Sequence, residues 1–446
     1  MGTAEMVMDA NETDARCPAA EPDAVAPDAV APDAVEPDVS IVIGAYEAMP
    51  YLIRCLESVE GQTLPAGRME IVAVDDGSTD GTGEYLDSFA ARTAIPMRVV
   101  HQANSGGPSG PRNVGLGLAR GRYVFFLDAD DYFGPEALER MVAMGDRAGT
   151  DVVLGKIVGV NRGAAKSMWK ETVERADLYR SNVKFTLSAQ KLFRRSLLQR
   201  LGMSFDEKLR TGEDALFTME AYLRGSGVSV VADYTCYYLV GRDDGKHVTK
   251  SGTYVLRFDS ARALMDLIAT HLPPGPRRDS LMVRPFVITL LPQFGPNLLK
   301  QSKAVRAKKM ALAAPLLAAY WTPGLARGLK VNERLRLACV AQGRLDLLLD
   351  VMRFMKAKSE PALVHEGRPS RLYLAYPHFR DGSGLPDSVY EVTVTEWIGG
   401  RRVEAPEPRP CVSIARRVVR KIHRTALRVL RGPRSRRVRT GTRTRA

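Results

Sequence analysis

Cysteine is scarce in this sequence. The 446 residues include five cysteines, at positions 17, 55, 236, 339 and 411, and no Cys-X-X-Cys pair. Zinc sites and disulfide scaffolds use closely spaced or regularly paired cysteines. The sequence therefore argues against both, and we expect reduced thiols with mainly structural roles.

Long apolar runs are also missing. The best candidate, Met310 to Trp321, spans 12 positions and contains Pro315. A membrane-spanning helix needs about 20 apolar residues, so we interpret this run as a buried helix. The N-terminus has no basic segment followed by an apolar one, which is the pattern of an export signal. The sequence predicts a globular, cytoplasmic protein.

Two common nucleotide-binding loops are absent. After the first apolar strand the chain reads GAYEAMP, not GxGxxG, and GxxxxGK[ST] does not occur. These loops hold the phosphates of dinucleotides and of ATP against a helix start. The sequence therefore argues against both of these classes.

Charge is distributed unevenly along the chain. The net charge is +13; residues 411–446 hold thirteen Arg and Lys and no acid, and residues 1–39 carry ten acids against one Arg. About +9 is left on residues 40–410. A basic body favours an anionic substrate.

Short apolar runs alternate with helical patterns from Val39 to Leu154. The predicted strands are 39–45, 70–74, 97–101, 123–127 and 151–154, and the predicted helices are 50–61, 81–91, 108–119 and 135–148. This alternation predicts an α/β fold, an open, mostly parallel sheet with helices on both faces. Ligands of such sheets bind beyond the carboxyl ends of the strands.

Composition divides the chain further. Residues 21–38 repeat a Pro- and Asp-rich pentapeptide that cannot bury a core. Amphipathic patterns at 256–271 and 333–355 predict helices, and LYLAY and YEVTVTEW predict strands. The predicted segments are a disordered leader (1–38), an α/β domain (39–254), a helical region (255–358), a small strand-containing accessory domain (359–405) and a basic tail (406–446).

Acidic residues follow two of the predicted strands. Asp75 and Asp76 can accept hydrogen bonds from a base or ribose, or can simply cap the next helix. Asp128, Asp130 and Asp131 would repel one another unless a cation or donors compensate them. Mg²⁺ and Mn²⁺ take carboxylate and phosphate oxygens. The spacing suits a metal-bound diphosphate; the alternative is a solvated turn that stabilises the following helix.

The segment NSGGPSGPRNVG, from Asn104 to Gly115, is rich in glycine and opens a helical pattern. Its glycines permit close backbone approach, and the helix start offers N–H donors. Arg112 can bind phosphate or stack on a base. The segment therefore predicts a binding loop for an anionic ligand.

Two adjacent acids, Glu213 and Asp214, open a helical pattern that runs to Arg224. Such a pair commonly complements the helix dipole. A reaction in which an acceptor hydroxyl attacks directly also needs a carboxylate that removes its proton. We predict Asp214 as that base and Glu213 as its orienting neighbour or a ribose contact.

A polar loop, within YYLVGRDDGKHVT, follows a later predicted strand. His247 can reach a metal or a departing diphosphate, and Arg242 or Lys246 can neutralise the diphosphate. The alternative is a solvated loop.

In this order the segments resemble the family 2 glycosyltransferases with a GT-A fold. The matching pieces, over roughly residues 38–250, are VSIVIGAYEAMPYLIRCLESV, VDDGSTDGT, NSGGPSGPRNVGLGLARGRYVFFLDADD and GEDALF. The resemblance implies an inverting transferase that moves a sugar from a uridine diphosphate sugar, with a divalent metal, onto a hydroxyl. In the family, many members have Pro before and Asn after the tyrosine, where this sequence has Ala45 and Glu47.

The resemblance also implies roles for individual residues. Those that would hold the nucleotide are Tyr46, Asp75 or Asp76, Asn104 and Arg112. Asp128 and Asp130 would be the DxD pair that contacts ribose and metal. Asp214 would be the base.

A narrower resemblance rests on LGKIVGVNRGAAKSMW, SAQKLFRRSLL, the GEDALF helix and KHVT. These pieces are similar to the enzymes that attach N-acetylglucosamine to the poly(ribitol phosphate) of wall teichoic acid. This implies an anionic cell-envelope polymer or lipid-linked acceptor. Those enzymes carry C-terminal oligomerisation or accessory domains, which would suit residues 255–405 and a homo-oligomer.

The tail includes a basic amphipathic pattern over residues 412–430. We hypothesise that it rests on the anionic inner face of the cell membrane, as a peripheral contact. The alternative is a disordered solubilising tail.

Two rival functions remain at this stage. A nucleic-acid- or anionic-surface-binding protein without transferase activity would explain the Arg-rich tail but would leave the strand-end acids without a role. An inactive glycan-binding relative is the second, and the presence of Asp128, Asp130 and Asp214 argues against it. We therefore do not expect nucleic acid as a partner.

Overall fold

A computed structural model of the protein describes residues 36–243, 253–367 and 371–405. The strands are β1 Val39–Ala45, β2 Met69–Asp75, β3 Met97–His101, β4 Tyr123–Asp128, β5 Tyr132–Phe133, β6 Val152–Val160, β7 Leu192–Arg194, β8 Val228–Val240, β9 Ala362–Glu366, β10 Arg371–Ala375, β11 Glu396–Ile398 and β12 Arg401–Val403. The helices are α1 Tyr51–Glu60, α2 Thr82–Ala90, α3 Ser109–Leu118, α4 Ala137–Ala148, α5 Arg195–Leu201, α6 Glu213–Arg224, α7 Tyr254–His271, α8 Pro276–Arg284, α9 Lys303–Tyr320, α10 Pro323–Arg327, α11 Val331–Ala341 and α12 Leu345–Lys356.

The first eight strands form one sheet in the order β3-β2-β1-β4-β7-β6-β8-β5. The neighbours from β3 to β4 are parallel, as the alternation of strands and helices predicts. β7 then pairs antiparallel with both β4 and β6, while β6 and β8 run parallel. The predicted α/β class is confirmed. The short antiparallel strands β5 and β7 are parts that the sequence pattern did not indicate.

The central strands are buried on both faces of the sheet. In β1, Val42 packs into one hydrophobic cluster, and Ile41 and Ile43 pack into the other. In β4, Phe126 joins the first cluster and Phe125 the second. Because side chains alternate between faces, a strand covered on both sides is apolar at every position. This explains the continuous apolar runs that predict β1 and β4.

Helices follow the sheet from α7 to α12. The run that we interpret as a buried helix lies in α9, which buries Ala313, Leu316 and Leu317. Across the described residues, no helix combines the length and the apolar character needed to cross a membrane. Side chains of α7, α9, α11 and α12 join the same hydrophobic cluster as one face of the sheet. The helical region and the sheet therefore share a core, and the domain limits given above stay predictions.

Two expected elements differ from the structure. The predicted helix over 333–355 is divided into α11 and α12 at Gly343, whose φ of 68° is a left-handed conformation suited to glycine. The predicted strand YEVTVTEW contributes only β11 at its end. Earlier in the segment, Glu391 forms an isolated antiparallel bridge with Tyr373 of β10, and Tyr390 O accepts from Leu374 N at 3.0 Å. The pairing does not extend into a longer strand, and the buried Arg334 donates to Glu391 O.

Candidate active site

The carboxyl ends of three parallel strands meet at one edge of the sheet. In the register of the sheet, Ala45 at the end of β1 faces Asp75 at the end of β2, and Gly44 faces Asp128 at the end of β4. Asp75 and Asp128, predicted from separate sequence segments, therefore lie at the same edge of the sheet, one register position apart along β1. This is the edge at which α/β sheets bind ligands.

The start of α3 packs closely against β1 at this edge. A Cβ atom on Gly44 would lie 3.2 Å from Pro111 side-chain atoms, and one on Gly115 would lie 2.3 Å from Val42. Glycine at both positions lets the helix approach the strand. The approach brings Arg112, in the first turn of α3, to the ends of the strands.

Arg112 joins two groups of acids. Its Nη2 donates to Asp128 Oδ1 at 2.8 Å, and its Nη1 donates to Glu213 Oε1 at 3.5 Å. The guanidinium lies 5.3 Å from the centroid of the Phe205 ring, and Arg112 is 8% exposed. Burial alone would lower its pKa, but Asp128 and Glu213 raise the pKa above its ordinary value. Arg112 thereby connects the end of β4 with the start of α6.

The DxD segment contains three acids whose carboxylates come close together. Oxygen atoms of Asp128, Asp130 and Asp131 lie within 4.8 Å of one another. Burial, followed by repulsion from Asp128, raises the pKa of Asp130 to about 6. Burial and the two neighbouring acids raise the pKa of Asp131 to about 8. Without a compensating cation, the cluster disfavours its fully ionised form.

These acids differ in how much of their hydrogen-bonding capacity the protein uses. Asp131 accepts from Tyr237 Oη at 2.7 Å and from Val240 N at 2.6 Å, which ties the cluster to β8. Asp128 also accepts from Gln190 Nε2 at 2.6 Å. Within the described residues, the Asp130 carboxylate accepts a hydrogen bond from its own backbone N–H. The donor set suits a hard divalent cation, with Asp130 as the ligand least engaged by the protein.

Asp75 and Asp76 lie at the predicted edge, but both have structural partners. Asp76 accepts from Gln102 Nε2 at 2.6 Å and from Ser105 N at 3.0 Å. Asp75 accepts from Ser78 N at 3.1 Å and contacts His101 Nδ1 at 3.2 Å. The two acids therefore hold the loops on either side, and their contacts with a base stay a prediction.

The other residues predicted to hold the nucleotide surround this edge. Tyr46 is 53% exposed directly after β1. Asn104 is exposed and accepts from Gly106 N at 2.8 Å. Arg242, after β8, donates to Glu47 O at 2.8 Å, and its charge lowers the pKa of Asp130 against the effect of burial. His247, predicted as a metal ligand, lies outside the described residues.

The two acids of the GEDALF segment form the first turn of α6. Gly212 caps the helix with a φ of 85°, and a Cβ there would lie 1.9 Å from Ser260 Oγ on α7. Burial, followed by the charge of Asp214, raises the pKa of Glu213 to about 7. Burial also raises the pKa of Asp214, while Arg112 favours its charged form. The predicted base therefore lies in the same electrostatic environment as the DxD acids.

Three polar residues near these acids were not predicted as site residues. Besides Gln190, they are Lys191 and Arg284, whose charges favour the ionised form of Asp214. Burial lowers the pKa of Lys191 to about 7. Gln190 and Lys191 stand in SAQKLFRRSLL, a segment that supported the narrower resemblance. Arg284 lies 70 positions beyond Asp214, and no local pattern marks it.

The chain is similar to known families in two consecutive regions. Residues 40–202 match Glycosyl transferase family 2, and residues 256–352 match the Glycosyl transferase TarS linker domain. The first region contains β1 to β4, Arg112 and the DxD acids. The second contains α7 to α11 and most of α12.

Curated relatives are similar to about half of the chain. A poly(ribitol-phosphate) beta-glucosyltransferase of Bacillus spizizenii is 41% identical over 232 residues, which is 52% of this chain and 36% of that protein. The poly(ribitol-phosphate) beta-N-acetylglucosaminyltransferase TarS of Staphylococcus aureus is 39% identical over 235 residues, 52% of this chain and 40% of that protein. The matched part thus spans well under half the length of these relatives.

A crystal structure of S. aureus TarS 1-349 in complex with UDP-GlcNAc is similar in fold. The TM-score is 0.68 at 27% sequence identity, over 78% of this chain and 98% of that chain. The predicted GT-A architecture and the predicted relationship are therefore confirmed. The chain carries a family 2 glycosyltransferase domain with a GT-A fold, followed by a region that matches the TarS linker domain.

Proposed function

We propose that the protein is an inverting glycosyltransferase that moves a sugar from a UDP-sugar to a hydroxyl of poly(ribitol phosphate). The observation that carries the proposal is the contact of one buried cation, Arg112, with both Asp128 and Glu213. Arg112 thereby links the DxD acids, which we assign to the donor, with the first turn of α6, which carries the proposed base. The names of the two relatives and the UDP-GlcNAc complex of TarS support this choice of acceptor and donor.

The donor would lie against the DxD acids. Asp130 and Asp128 would hold Mg²⁺ or Mn²⁺, which supplies positive charge for the diphosphate when it is bound. Tyr46, Asp75 or Asp76, and Asn104 line the side on which we place the nucleotide. The charge of Arg242 lowers the pKa of Asp130, so Arg242 lies near the DxD acids. We propose that it contacts the phosphate groups of the donor.

Asp214 is the base of the proposed reaction. It accepts the proton of the acceptor hydroxyl as that oxygen forms a bond to the anomeric carbon. The bond from the anomeric carbon to the diphosphate breaks, and UDP leaves with the electron pair. Attack from the opposite side inverts the configuration. Glu213, held by Arg112, positions the first turn of α6.

Two sugars are compatible with the relatives, N-acetylglucosamine and glucose. Our sequence-based expectation is N-acetylglucosamine. Incubation of the protein with poly(ribitol phosphate) and either UDP-GlcNAc or UDP-glucose, in the presence of Mn²⁺, tests both the function and the sugar. We expect radiolabelled sugar in the polymer from one of the two donors. Absence of transfer from both would contradict the proposal.

Three further properties stay proposals. They are a cytoplasmic location, a peripheral membrane contact through residues 412–430 and a homo-oligomer. The membrane segment lies outside the described residues. A chain that ends at Pro410 should bind anionic liposomes less strongly than the full chain, and equal binding would contradict the membrane contact. The rival nucleic-acid function predicts salt-sensitive DNA binding through the tail without sugar transfer.

A further inference from the structure

One stretch of the helical region is basic throughout. Residues 280–332 contain eight Lys and Arg and no Asp or Glu. The basic residues are Arg284, Lys300, Lys303, Arg306, Lys308, Lys309, Arg327 and Lys330. A solvated protein surface ordinarily mixes charges of both signs. Lys309 is buried and Arg284 interacts with Asp214, but the other six cations are exposed or half-buried. This one-sided surface charge indicates an anionic partner.

The start of α9 concentrates this charge. Lys303, Arg306 and Lys308 lie in its first two turns, where Ser302 caps the helix by accepting from Val305 N at 3.3 Å. The dipole of a helix makes its N-terminus positive, so cations there are unfavourable unless an anion is near. The positive potential of the helix end adds to that of the side chains.

Beside α9 a surface cleft of about 510 Å³ is lined by Leu299, Arg306, Arg353, Lys356 and Ala357. We call it the basic cleft. Its three cations come from two helices, α9 and the last turns of α12. The cleft is therefore built by packing of elements that lie far apart in the sequence.

The cations of the basic cleft are available to a ligand to different degrees. The Arg306 guanidinium is oriented by hydrogen bonds to Leu298 O at 3.0 Å and Leu299 O at 2.7 Å. Arg353 pairs with Asp350 and is exposed, as is Lys356. In the part of the chain that the structure describes, no carboxylate forms an ion pair with Arg306 or Lys356. The cleft thus keeps a net positive charge.

We propose that the basic cleft binds the phosphodiester backbone of the polymeric acceptor, an inference that rests on the proposed function. Phosphate oxygens suit guanidinium and ammonium groups, and a repeating polyanion can contact several cations at once. The neutral, apolar rim of Leu299 and Ala357 leaves room for the polyol between phosphates.

The position of the basic cleft relative to Asp214 indicates how polymer binding there would affect sugar transfer. α9 packs on α7, and α7 packs on α6, whose first turn carries Asp214. The cleft therefore lies in a different helical layer from the base and would hold a segment of polymer remote from the reacting hydroxyl. Binding of one part of the polymer at the basic cleft raises the effective concentration of its other repeat units at the active site. The benefit should therefore depend on acceptor length.

The test compares acceptors of different length in the full-length protein. A variant with Arg306→Glu, Arg353→Glu and Lys356→Glu should lose about tenfold or more in kcat/KM on long poly(ribitol phosphate). Its kcat/KM on acceptors of two or three ribitol phosphate units, and its hydrolysis of the UDP-sugar, should stay within twofold of the wild type. The loss on long acceptors should shrink at high salt, because screening weakens the wild-type contact.

Two further variants keep the result interpretable. The double variant Arg353→Glu with Lys356→Glu changes only exposed positions and leaves the Arg306 contacts intact, so it should fold and show a smaller loss of the same kind. Arg92→Glu, Arg200→Glu and Arg402→Glu together make the same change in net charge at exposed positions outside the cleft. This control should retain normal turnover on long polymer.

Direct binding separates the cleft from the reaction. Fluorescent poly(ribitol phosphate) should bind the triple variant about tenfold more weakly than the control variant, even if the polymer proves not to be the acceptor. Equal polymer binding by both variants, or an equal loss of turnover on short and long acceptors, would overturn the proposal. So would a triple variant that loses only its binding to anionic vesicles.

Discussion

Asp214 is the residue on which the proposed chemistry depends most. Asp214→Asn keeps the shape of the side chain but removes its ability to accept a proton. We expect kcat to fall about 100-fold or more, the scale of a lost general base, while the affinity for the UDP-sugar changes little. Steady-state transfer rates and calorimetric donor binding check both parts.

The matched control lies on the same helix. Glu220 is in α6 and pairs with Arg224 at 2.8 Å, away from the first turn. Glu220→Gln should leave kcat within about twofold, because an exposed ion pair contributes little. Near-normal turnover by Asp214→Asn would contradict the role of Asp214.

Asp130 should control the cation dependence of donor binding. Asp130→Ala removes the acid that the protein engages least, so Mn²⁺ should no longer strengthen UDP-sugar binding. In the wild type, the Mn²⁺ effect should weaken as pH falls through about 6, because protons then compete for the Asp130 carboxylate. Calorimetry with Mn²⁺ and with a chelator, between pH 5 and 8, measures both effects. Exposed Asp233→Ala is the control, and donor binding unaffected by chelation would argue against a cation site.

Arg112 should matter for folding as well as for the site. Arg112→Met would leave Asp128 and Glu213 without their buried cation and should lower the free energy of unfolding by about 3 kcal/mol near pH 8. The pKa of Glu213 is already raised, so removal of Arg112 favours its neutral form further. The loss should therefore shrink toward pH 5, where protonation removes the unpaired charge. Urea unfolding at both pH values tests this, and a loss independent of pH would contradict it.

The sequence pattern indicated the acids of the candidate site but not the polar residues that surround them. Asp128 and Asp214 were predictable because one ends an apolar strand and the other starts a helix, and parallel strands end at a common edge. Gln190 and Arg284 were not, because Gln190 donates to an acid 62 positions away and Arg284 acts through its charge on an acid 70 positions away. The hydrogen bonds that Asp76 accepts from Gln102 and Ser105 could not be predicted for the same reason.

At the scale of elements, the junction of α6 and α7 positions the base. Gly212→Ala would place a methyl group in a left-handed backbone conformation and against Ser260. We expect a loss of about 3 kcal/mol in the free energy of unfolding, together with lower kcat, because the first turn of α6 must move.

A second glycine separates backbone strain from collision. Gly202, after α5, has a φ of 58° and open space at its Cβ position. Gly202→Ala should lose only about 1 kcal/mol and keep its turnover. Urea unfolding and transfer assays on both variants provide the comparison. Equal losses in the two variants would show that packing against α7 does not position α6.

The element predictions were most accurate where the sequence pattern is local. β1 and β3 have the predicted bounds, and helices α1 to α4 differ from prediction by at most two residues at either end. β1 is buried on both faces, and β3, at the sheet edge, is only partly buried but is still a short apolar run. β7 has three residues, and its antiparallel pairing depends on β4 and β6, which lie far away in the sequence. Of the accessory strands, LYLAY corresponds to β10, whereas YEVTVTEW pairs with β10 only at the isolated bridge of Glu391 and enters a strand only at β11.

For the whole molecule, the shared core predicts cooperative unfolding. Trp169 packs against the core near the sheet, and Trp321 packs against it in the helical region. Fluorescence of variants that keep one of these tryptophans should give the same urea midpoint as far-UV circular dichroism, as expected for a single cooperative unit. Midpoints that differ by more than about 0.5 M would indicate that the two regions unfold independently.

The account as a whole requires that Asp214 and the DxD acids act on one donor and one acceptor. The most direct measurement is the anomeric configuration of the product, read by NMR after transfer to poly(ribitol phosphate). We predict a β-linked sugar from the α-linked UDP-sugar with the wild type, and none with Asp214→Asn. An α-linked product, or equal β-linked product from the variant, would contradict the account.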